Sequence, residues 1–287
     1  MITKRVQAIL SDYDGTLVRV ANMKDTTTNT IPGELEAILN KISAEIPVGI
    51  ISTKDFVFLR KKTAFARVLS CMMGIETLVL RKDSSSPVIE KRLLHVNPRA
   101  LQRNSKVLEA IAEEIASHKD FSRLIIERKH TSDGILAGLT VDWRHLNNGW
   151  SYYRKSITPF MSSVVASLKK PPVPIVDIYL QEYSIHPFVD VYSTECNKGM
   201  AFNTVISELG YTTVNGKGTL YLGDSENDNP AFRKADISIG IRSDIRVNPK
   251  LDCSYFLDYE QLSSFLMKLR NSDYLFSDEL ILEAKKA

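Results

Sequence analysis

Hydrophobic residues in the first third of the chain alternate between short continuous runs and helical spacing. The runs predict buried strands, and apolar positions at i, i+3 and i+4 between them predict amphipathic helices. Strands separated by helices are typical of a parallel, doubly wound α/β sheet. The predicted elements are a strand at 6–11, a helix opened by Pro32, a strand at 48–51, a helix from Phe56 through Leu69, and a strand at 78–80.

The pattern changes after residue 82, where helical spacing and strand-like runs are mixed. The elements predicted in this stretch are helices at 101–116 and 152–168 and strands at 124–127, 135–141, 175–180 and 185–191. The first pattern then returns, with a helix at 197–209, a strand at 219–222, a helix from Pro230, strands at 237–239 and near Tyr255, and a helix at 262–269.

This change of pattern predicts two domains. We expect a Rossmann-like α/β core made of residues 1–82 and 191–287, with an α+β domain inserted over residues 83–190. Ligands of open parallel sheets bind at the carboxyl ends of the strands. The chemistry is therefore expected where the core strands end.

Composition and charge are those of an ordinary globular protein, with 44% hydrophobic and 25% charged residues. A net charge of +3 is too small to indicate binding to nucleic acid or to a membrane surface. The three cysteines are far apart and form neither a metal-spaced pair nor a disulfide framework, which predicts reduced thiols. Without a secretory segment or a bilayer-length apolar stretch, we predict a cytoplasmic protein, either monomer or dimer.

Two carboxylates follow the first long apolar run. Asp12 and Asp14 lie in an Asp-Tyr-Asp-Gly segment where the predicted strand ends, and Gly15 can turn the chain away. Past the strand end, one carboxylate can face a bound phosphate while the other lies over the leaving group. This layout suits an aspartate nucleophile beside an aspartate acid/base. On its own, the Asp-Gly pair could also be only a turn.

Three further groups follow predicted strands or begin predicted helices. Ser52 follows a strand and can donate its hydroxyl to a phosphoryl oxygen, and Lys198 begins a helix, where it would favour an anion. Asp224 and Asp228 are four residues apart, so one helical turn would place them on one face. In isolation Ser52 and Lys198 would be unremarkable, but their combination with the aspartates points to phosphate chemistry.

The motifs Asp-x-Asp-Gly-Thr, Ser, Lys and Gly-Asp-x-x-x-Asp, in this order, resemble the haloacid dehalogenase (HAD) superfamily. The inserted domain resembles the C2-type cap of that superfamily. The resemblance implies a HAD-type phosphatase, a hydrolase of phosphoric monoesters that acts on a small-molecule phosphate ester. It implies that Asp12 attacks phosphorus to give an aspartyl-phosphate and that Asp14 is the general acid and base.

The same resemblance implies roles for the remaining motif residues. Ser52 and Lys198 would neutralise the charge on the phosphoryl oxygens. Mg²⁺ would be held by the Asp12 carboxylate, the Asp14 main-chain carbonyl and Asp224, with Asp228 ligating or supporting it.

Within the C2 group, the sequence Asp-Tyr-Asp-Gly-Thr-Leu at residues 12–17 resembles the corresponding motif of trehalose-6-phosphate phosphatases. The Glu-Arg-Lys segment that ends at Lys129 is similar to a Glu-x-Lys segment of that family, and the Trp-Arg pair that ends at Arg144 is similar to a Tyr-Arg pair. Asp190 stands where the family has Glu. Ordinary surface positions or ion pairs are an equally good interpretation of these residues.

Ser52-Thr53-Lys54 resembles instead the Ser-Ser-Lys of mannosyl-3-phosphoglycerate phosphatases. Sucrose-phosphate phosphatase, phosphoglycolate phosphatase, a phosphomutase and a non-catalytic sugar-phosphate sensor are further alternatives. A sugar phosphate, foremost trehalose-6-phosphate, is the preferred substrate. The substrate-binding residues implied by the resemblance are Thr53, Lys54, Lys129, Arg144 and Asp190.

Overall fold

The computed structural model describes residues 3–19, 30–81, 88–146, 150–168, 178–183, 186–210, 217–242 and 249–284. Its helices are α1 Gly33–Ser43, α2 Phe56–Lys62, α3 Pro98–Ser117, α4 Trp150–Leu168, α5 Lys198–Glu208, α6 Asn229–Phe232, α7 Leu262–Asn271 and α8 Asp278–Ala284. Its strands are β1 Lys4–Arg5, β2 Ala8–Ser11, β3 Val48–Ile51, β4 Val68–Cys71, β5 Glu76–Arg81, β6 Val88–Leu94, β7 Ile125–His130, β8 Leu136–Asp142, β9 Tyr179–Glu182, β10 Phe188–Tyr192, β11 Thr219–Gly223, β12 Ile237–Arg242, β13 Tyr255–Asp258 and β14 Leu275–Phe276.

The larger sheet has eight strands in the order β13-β12-β11-β2-β3-β4-β5-β6. Strands β13 through β4 are parallel, and β5 and β6 are antiparallel additions. Successive side chains of a strand point to opposite faces. Ile9 accordingly packs with α1 and α7, while Leu10 packs with α5 and α6. This two-faced burial explains why the core strands are continuous apolar runs. The predicted α/β fold with a parallel sheet is confirmed.

The smaller sheet has four antiparallel strands in the order β7-β8-β10-β9. Helices α3 and α4 pack against it around a separate hydrophobic cluster that includes Trp143. We call these elements the cap module, and the larger sheet with its helices the core module. The cap module lies between β6 and α5 along the chain.

The second predicted helix is wrong in its extent. Helix α2 ends at Lys62, and Leu69 lies in strand β4 rather than in the helix. The Ala66 and Leu69 positions do fit a helical spacing, but β4 pairs with β3 on one side and β5 on the other. Pairing on both edges outweighs the local periodicity of so short a segment.

Strand β6 was not predicted. It carries Glu90, Lys91 and Arg92, because an edge strand needs no continuous apolar run. Since β6 pairs with β5, the larger sheet extends beyond the boundary predicted at residue 83. The division of the chain into two domains stays a prediction. The predicted strands at 175–180 and 185–191 correspond to β9 and β10, with residues 175–177 and 185 outside the described ranges.

The turn between β7 and β8 holds the cap module against the core module. Glu76 of β5 is fully buried, and its carboxylate accepts hydrogen bonds from the Ser132 backbone N–H at 2.9 Å and the Ser132 hydroxyl at 2.7 Å. Arg92 of β6 forms an ion pair with Asp133 at 2.6 Å and another with Glu76. Because Glu76 is buried, these bonds fix the turn at one position on the core sheet.

Candidate active site

The turn after β2 presents the first candidate residues at the carboxyl edge of the larger sheet. The Asp12 backbone N–H donates to the Leu222 carbonyl, which ties the turn to β11. Gly15 adopts a φ of +79°, and a Cβ there would lie 1.9 Å from Oδ2 of Asp224. Only glycine therefore allows this turn to pass so close to Asp224. The two strand ends are brought together by backbone geometry before any side chain contributes.

Lys198 joins the two acidic motifs. It is the first residue of α5, whose N-terminus is capped by the Asn197 side chain. Its Nζ lies 2.7 Å from Oδ2 of Asp12 and 2.7 Å from Oδ1 of Asp228, and the side chain is fully buried. Burial alone would lower the pKa of Lys198, but the Asp12 and Asp228 carboxylates outweigh it and raise that pKa. Lys198 is thus a fixed positive charge at the base of the site.

Asp228 is saturated with hydrogen bonds. Besides Lys198, Oδ1 accepts the Tyr221 hydroxyl at 2.6 Å. Oδ2 accepts the backbone N–H groups of Asp224 and Ser225, each at 3.1 Å, and the Ser225 hydroxyl at 3.3 Å. The Asp228 side chain also fills the space where a Cβ of Gly223 would lie, with its Cγ 2.4 Å from that position. These bonds make Asp228 the residue that orders the loop after β11.

The carboxylates of this cluster repel one another. Burial is the main reason that the pKa of Asp12 rises to about 7, with Lys198 opposing the rise and Asp228 adding to it. Burial, followed by Asp12 and Asp228, raises the pKa of Asp224 well above its ordinary range. Both shifts mean that the ionised cluster lacks positive charge.

The cluster fits a divalent cation. One carboxylate oxygen from each of Asp12, Asp224 and Asp228 lies within 4.8 Å of the other two. Oxygen ligands and an excess of negative charge are what Mg²⁺ prefers. Because the oxygens of Asp228 already accept several hydrogen bonds, Asp12 and Asp224 are the better candidates for direct ligands.

A cavity of about 90 Å³ opens above this cluster, between the core and cap modules. Asp12, Asp14 and Asp224 line its core side. Oδ1 of Asp14 is buried and has no hydrogen-bond partner among the described residues. An unpartnered buried carboxylate oxygen is costly unless something else completes its hydrogen bonding. A ligand in the cavity could do so.

The residues after β3 take different positions. Ser52 is buried and does not line the cavity, and its hydroxyl accepts the Lys54 backbone N–H at 3.2 Å. Thr53 and Lys54 do line it. The Lys54 ammonium lies 3.3 Å from the Glu127 carboxylate, which belongs to the cap module. Lys54 therefore connects the two modules at the mouth of the cavity.

Lys129 and Asp190 form a buried ion pair on the cap side, with Nζ and Oδ1 2.9 Å apart. Asp190 also accepts hydroxyl hydrogen bonds from Thr140, from Tyr183 at 2.7 Å and from Tyr192 at 3.1 Å. Burial would raise the pKa of Asp190, but Lys129 and the hydroxyl donors hold it below its ordinary value. Both residues line the cavity. Because the oxygens of Asp190 are occupied by these contacts, we interpret Asp190 as the residue that positions Lys129.

Arg144 completes the set of predicted substrate-binding residues. Its guanidinium pairs with Asp142, with Nε at 2.7 Å, and lies over the Phe188 ring with 5.2 Å to the centroid. The cavity lining thus includes Thr53, Lys54, Lys129, Arg144 and Asp190, all five of the residues that the resemblance implied.

Sequence reasoning did not find the aromatic residues of the site. Tyr183, His186 and Phe188 line the cavity and contact one another through their rings. Tyr221 holds Asp228 from within β11. None of these residues belongs to a motif with a recognisable spacing, so their place in the site appears only in the folded structure.

Comparisons with known proteins follow the geometry. No family model and no curated protein matches the sequence. Among solved structures, one described as a trehalose-6-phosphate phosphatase related protein is 16% identical with a TM-score of 0.61, covering 92% of this chain and 97% of that one. The C-terminal domain of trehalose-6-phosphate phosphatase from C. albicans is 17% identical with a TM-score of 0.59, covering 93% of both chains. A HAD subclass IIB sugar phosphatase is 14% identical with a TM-score of 0.52, covering 94% of this chain and 100% of that one.

The chain shares its overall fold with these three phosphatase-related structures. The predicted resemblance is thereby confirmed at the level of fold, over 92 to 94% of this chain. At these identities the likeness carries no residue roles, which rest on the contacts described above. In the part of the chain that the structure describes, no helix is both long and apolar enough to cross a membrane.

Proposed function

We propose that this protein is a Mg²⁺-dependent phosphomonoesterase that hydrolyses a sugar phosphate, with trehalose-6-phosphate as the foremost candidate. One observation carries the proposal: Asp12 and Asp14 line one small cavity, above a buried lysine and a cluster of acidic groups. The HAD fold agrees with this chemistry. We further propose that the enzyme acts in the cytoplasm as a monomer or dimer.

Asp12 is the nucleophile of the proposed reaction. Its oxygens are oriented by the Tyr13 backbone N–H at 2.7 Å and by Lys198 at 2.7 Å. One Asp12 oxygen forms a bond to phosphorus while the bond from phosphorus to the sugar oxygen breaks, which gives an aspartyl-phosphate. Lys198 offsets the negative charge near the reacting carboxylate.

Asp14 is the acid and base of the proposed reaction. In the first step it gives a proton to the departing sugar oxygen, and in the second it takes a proton from water. That water oxygen bonds to phosphorus as the bond from Asp12 to phosphorus breaks, which releases inorganic phosphate. Asp14 lines the cavity, and its buried Oδ1 has no hydrogen-bond partner among the described residues, which supports this role.

The proposed metal site uses Asp12 and Asp224, with the main-chain carbonyl of Asp14 as the third protein ligand. When bound, Mg²⁺ supplies positive charge against the phosphoryl oxygens and the crowded carboxylates. Asp228 supports the site from behind, because its oxygens hold Lys198, Tyr221 and the loop after β11.

The substrate assignment rests on the cap side of the cavity. Lys129 and Arg144 are held there by Asp190 and Asp142, so their positions are fixed before a ligand arrives. Cations held in fixed positions on the cap side of the cavity suit a phosphate ester bound there. The solved structures with this fold include sugar phosphatases. Trehalose-6-phosphate is preferred over the phosphates of sucrose, mannosylglycerate and glycolate on the resemblance of the motifs.

Phosphate release from the purified full chain tests the proposal. The panel is trehalose-6-phosphate, sucrose-6-phosphate, mannosyl-3-phosphoglycerate, phosphoglycolate and p-nitrophenyl phosphate, each with Mg²⁺ and with a chelator. Turnover should need Mg²⁺, and Asp12→Asn should lower kcat by about a thousand-fold or more. Asp120→Asn is the matched control, because Asp120 is an exposed aspartate of the cap module.

Four outcomes would reject the proposal. Full turnover by Asp12→Asn would exclude the nucleophile, and unchanged ester hydrolysis by Asp14→Asn would exclude the acid. Silence of the wild type on every ester, with tight binding of one of them, would instead identify a sensor. Phosphate transfer between positions of one sugar, dependent on a bisphosphate, would identify a mutase.

A further inference from the structure

Strand β7 and the turn that follows it lie along the boundary between the cap and core modules. Four of their residues contact the core module directly: Glu127, His130, Ser132 and Asp133. Their partners in the core module are, in the same order, Lys54, Asp55, Glu76 and Arg92. We call these four contacts the β7 seam. Lys129, which lines the cavity at the proposed catalytic aspartates, lies within this stretch of chain.

The contact at Glu76 is the strongest of the seam. Its fully buried carboxylate accepts the Ser132 backbone N–H at 2.9 Å, the Ser132 hydroxyl at 2.7 Å and Nε of Arg92 at 2.5 Å. Arg92 in turn pairs with Asp133 at 2.6 Å. Buried polar groups are costly to leave without partners, so this network resists any shift of the turn. Glu76 is therefore a fixed point for the cap module.

Asp55 holds the same strand at a second point. Its Oδ2 accepts the His130 backbone N–H at 3.3 Å, while its Oδ1 accepts the Phe58 backbone N–H at 2.9 Å and so caps helix α2. The register of β7 against β8 shifts between Lys129 and His130. An irregularity of this kind bends a strand and changes the direction of nearby side chains. The seam thus holds β7 at the point where its course changes.

Lys129 is fixed within the cap module but not by the core module. Its ammonium is paired with Asp190 at 2.9 Å, and both side chains are buried. A group held in this way moves with the module that holds it. Its place across the cavity from Asp12 and Asp14 consequently depends on how the cap module sits on the core module. Ser132 is three residues from Lys129, about 10 Å of extended chain, so the seam controls that placement closely.

We propose that Glu76 is a positioning residue: by holding Ser132 and Arg92, it sets where Lys129 lies across the cavity from the proposed catalytic aspartates. Among the residues that the structure describes, the lining of this cavity does not include Glu76, so Glu76 acts on a ligand only through Lys129. The inference rests on the proposed function, in which Lys129 binds the phosphate ester. A displacement of about 1 Å, caused far from the chemistry, is enough to impair a site.

Steady-state kinetics of Glu76→Gln, on the ester that the wild type hydrolyses best, provide the first test. An amide accepts hydrogen bonds at only one of its two terminal atoms, so the seam loses an acceptor and its charge. We expect KM to rise about three- to tenfold with kcat within twofold, because Lys129 binds the ester in the ground state as well as in the transition state. Glu90→Gln is the matched control and should keep the wild-type KM, since Glu90 pairs with Arg67 and Arg81 of the core module.

A second variant loosens the seam from the cap side. Ser132→Ala with Asp133→Asn changes a turn in which the Asp133 side chain is 46% exposed, so the fold is retained even if the buried Glu76→Gln does not fold. Its KM should rise in the same direction. Added to Lys129→Met, with folding checked by tryptophan fluorescence, the turn variant should change KM by less than twofold more. Additive losses, or a fall of kcat at unchanged KM, would overturn the inference.

Calorimetric binding of inorganic phosphate in the presence of Mg²⁺ separates this inference from the proposed function. Glu76→Gln and the turn variant should bind phosphate about three- to tenfold more weakly than the wild type and Glu90→Gln. That result without hydrolysis of any ester would support the inference while rejecting the phosphatase. Hydrolysis by the wild type, with unchanged KM and unchanged phosphate affinity in both seam variants, would reject the inference alone.

Discussion

The buried ion pair between Lys129 and Asp190 leads to a quantitative prediction about the cap module. Its side chains are only 2% and 1% exposed, whereas the neighbouring pair of Arg128 with Glu109 is 39% and 44% exposed. Both pairs begin on strand β7 and have similar N–O distances, 2.9 and 2.7 Å. Burial is therefore the main difference between them.

The expected coupling energy of the buried pair is several-fold larger than that of the exposed pair. Removal of one partner from a buried pair costs about 3 to 5 kcal/mol, because the other charge is left without compensation. Lys129→Met and Asp190→Asn should each destabilise the cap module by about 3 kcal/mol. The double variant buries no unpaired charge, so the coupling energy of the cycle should be about 2 kcal/mol or more. For Arg128→Met with Glu109→Gln, exposed partners should couple by less than about 1 kcal/mol.

Urea unfolding of the variants, monitored by tryptophan fluorescence, measures these free energies in the cap module. The chain has two tryptophans, and both Trp143 and Trp150 pack in the hydrophobic cluster of the cap module. With a slope of about 1.5 to 2 kcal/mol per molar urea, each buried single variant should lower the midpoint by about 1.5 to 2 M. A coupling energy for Lys129 and Asp190 no larger than that of Arg128 and Glu109 would refute the reasoning.

The pH dependence of the same transition has a definite sign. The pKa of Asp190 is lowered in the folded protein, so its contribution is complete above the unfolded value near 4 and is lost as the pH falls through the folded value. The wild-type cap module should therefore lose stability below about pH 4 more steeply than Asp190→Asn. Parallel acid profiles for the two proteins would contradict this assignment.

Three further predictions concern the core site. Gly15→Ala should weaken Mg²⁺ binding at least tenfold in calorimetry, because the new Cβ would lie 1.9 Å from Oδ2 of Asp224. An unchanged Mg²⁺ affinity would be inconsistent with this contact. Asp224→Asn should raise the Tm of the protein in chelator, because a carboxylate whose pKa is raised in the folded state costs stability near neutral pH. The same variant should abolish the rise of Tm with Mg²⁺, and a lower Tm in chelator would argue against repulsion between the carboxylates. Lys54→Met and Glu127→Gln should raise KM for the sugar phosphate equally, and a larger effect of the double variant would show that they act separately.

The acidic motifs were predictable because each depends on a local feature. Asp12 and Asp14 follow an apolar run, and a run of that kind nearly always ends at the edge of a sheet in this fold class. The parallel pairing of β2 with β11 then brings Asp12 to Asp224 without further information. The resemblance of the ordered motifs to the HAD superfamily implied that Asp12 and Asp224 lie close together, and the strand pairing gives the physical reason.

The extent of short elements was less predictable. Residues 63–71 have apolar positions compatible with both a helix and a strand, and the pairing of β4 on both edges decides between them. Strand β6 has no apolar periodicity, because one of its edges faces solvent. Such strands are specified by their neighbours rather than by their own residues.

The part played by Asp190 was also beyond reach of the sequence. A carboxylate in a cap strand could equally bind a sugar or hold a lysine. It contacts Tyr192 of its own strand and three residues from other parts of the chain, Lys129, Thr140 and Tyr183. Only the assembled sheet shows that its oxygens are occupied. The position of Ser52 was not predictable either. We expected its hydroxyl to face a phosphoryl group, but in the structure that hydroxyl accepts a hydrogen bond from the Lys54 backbone N–H.

The position of the cap module between β6 and α5 has a consequence for the order of events during synthesis. Strand β2 leaves the ribosome before the cap module, whereas its partner β11 follows only after the whole cap module has been translated. Contacts between β2 and β11 close a long loop and therefore form slowly compared with local contacts. The cap module can thus fold while the edge of β2 that pairs with β11 is still unpaired. The Asp12 carboxylate consequently meets Lys198 and Asp224 only after the cap module has been translated, so the candidate active site cannot assemble before then.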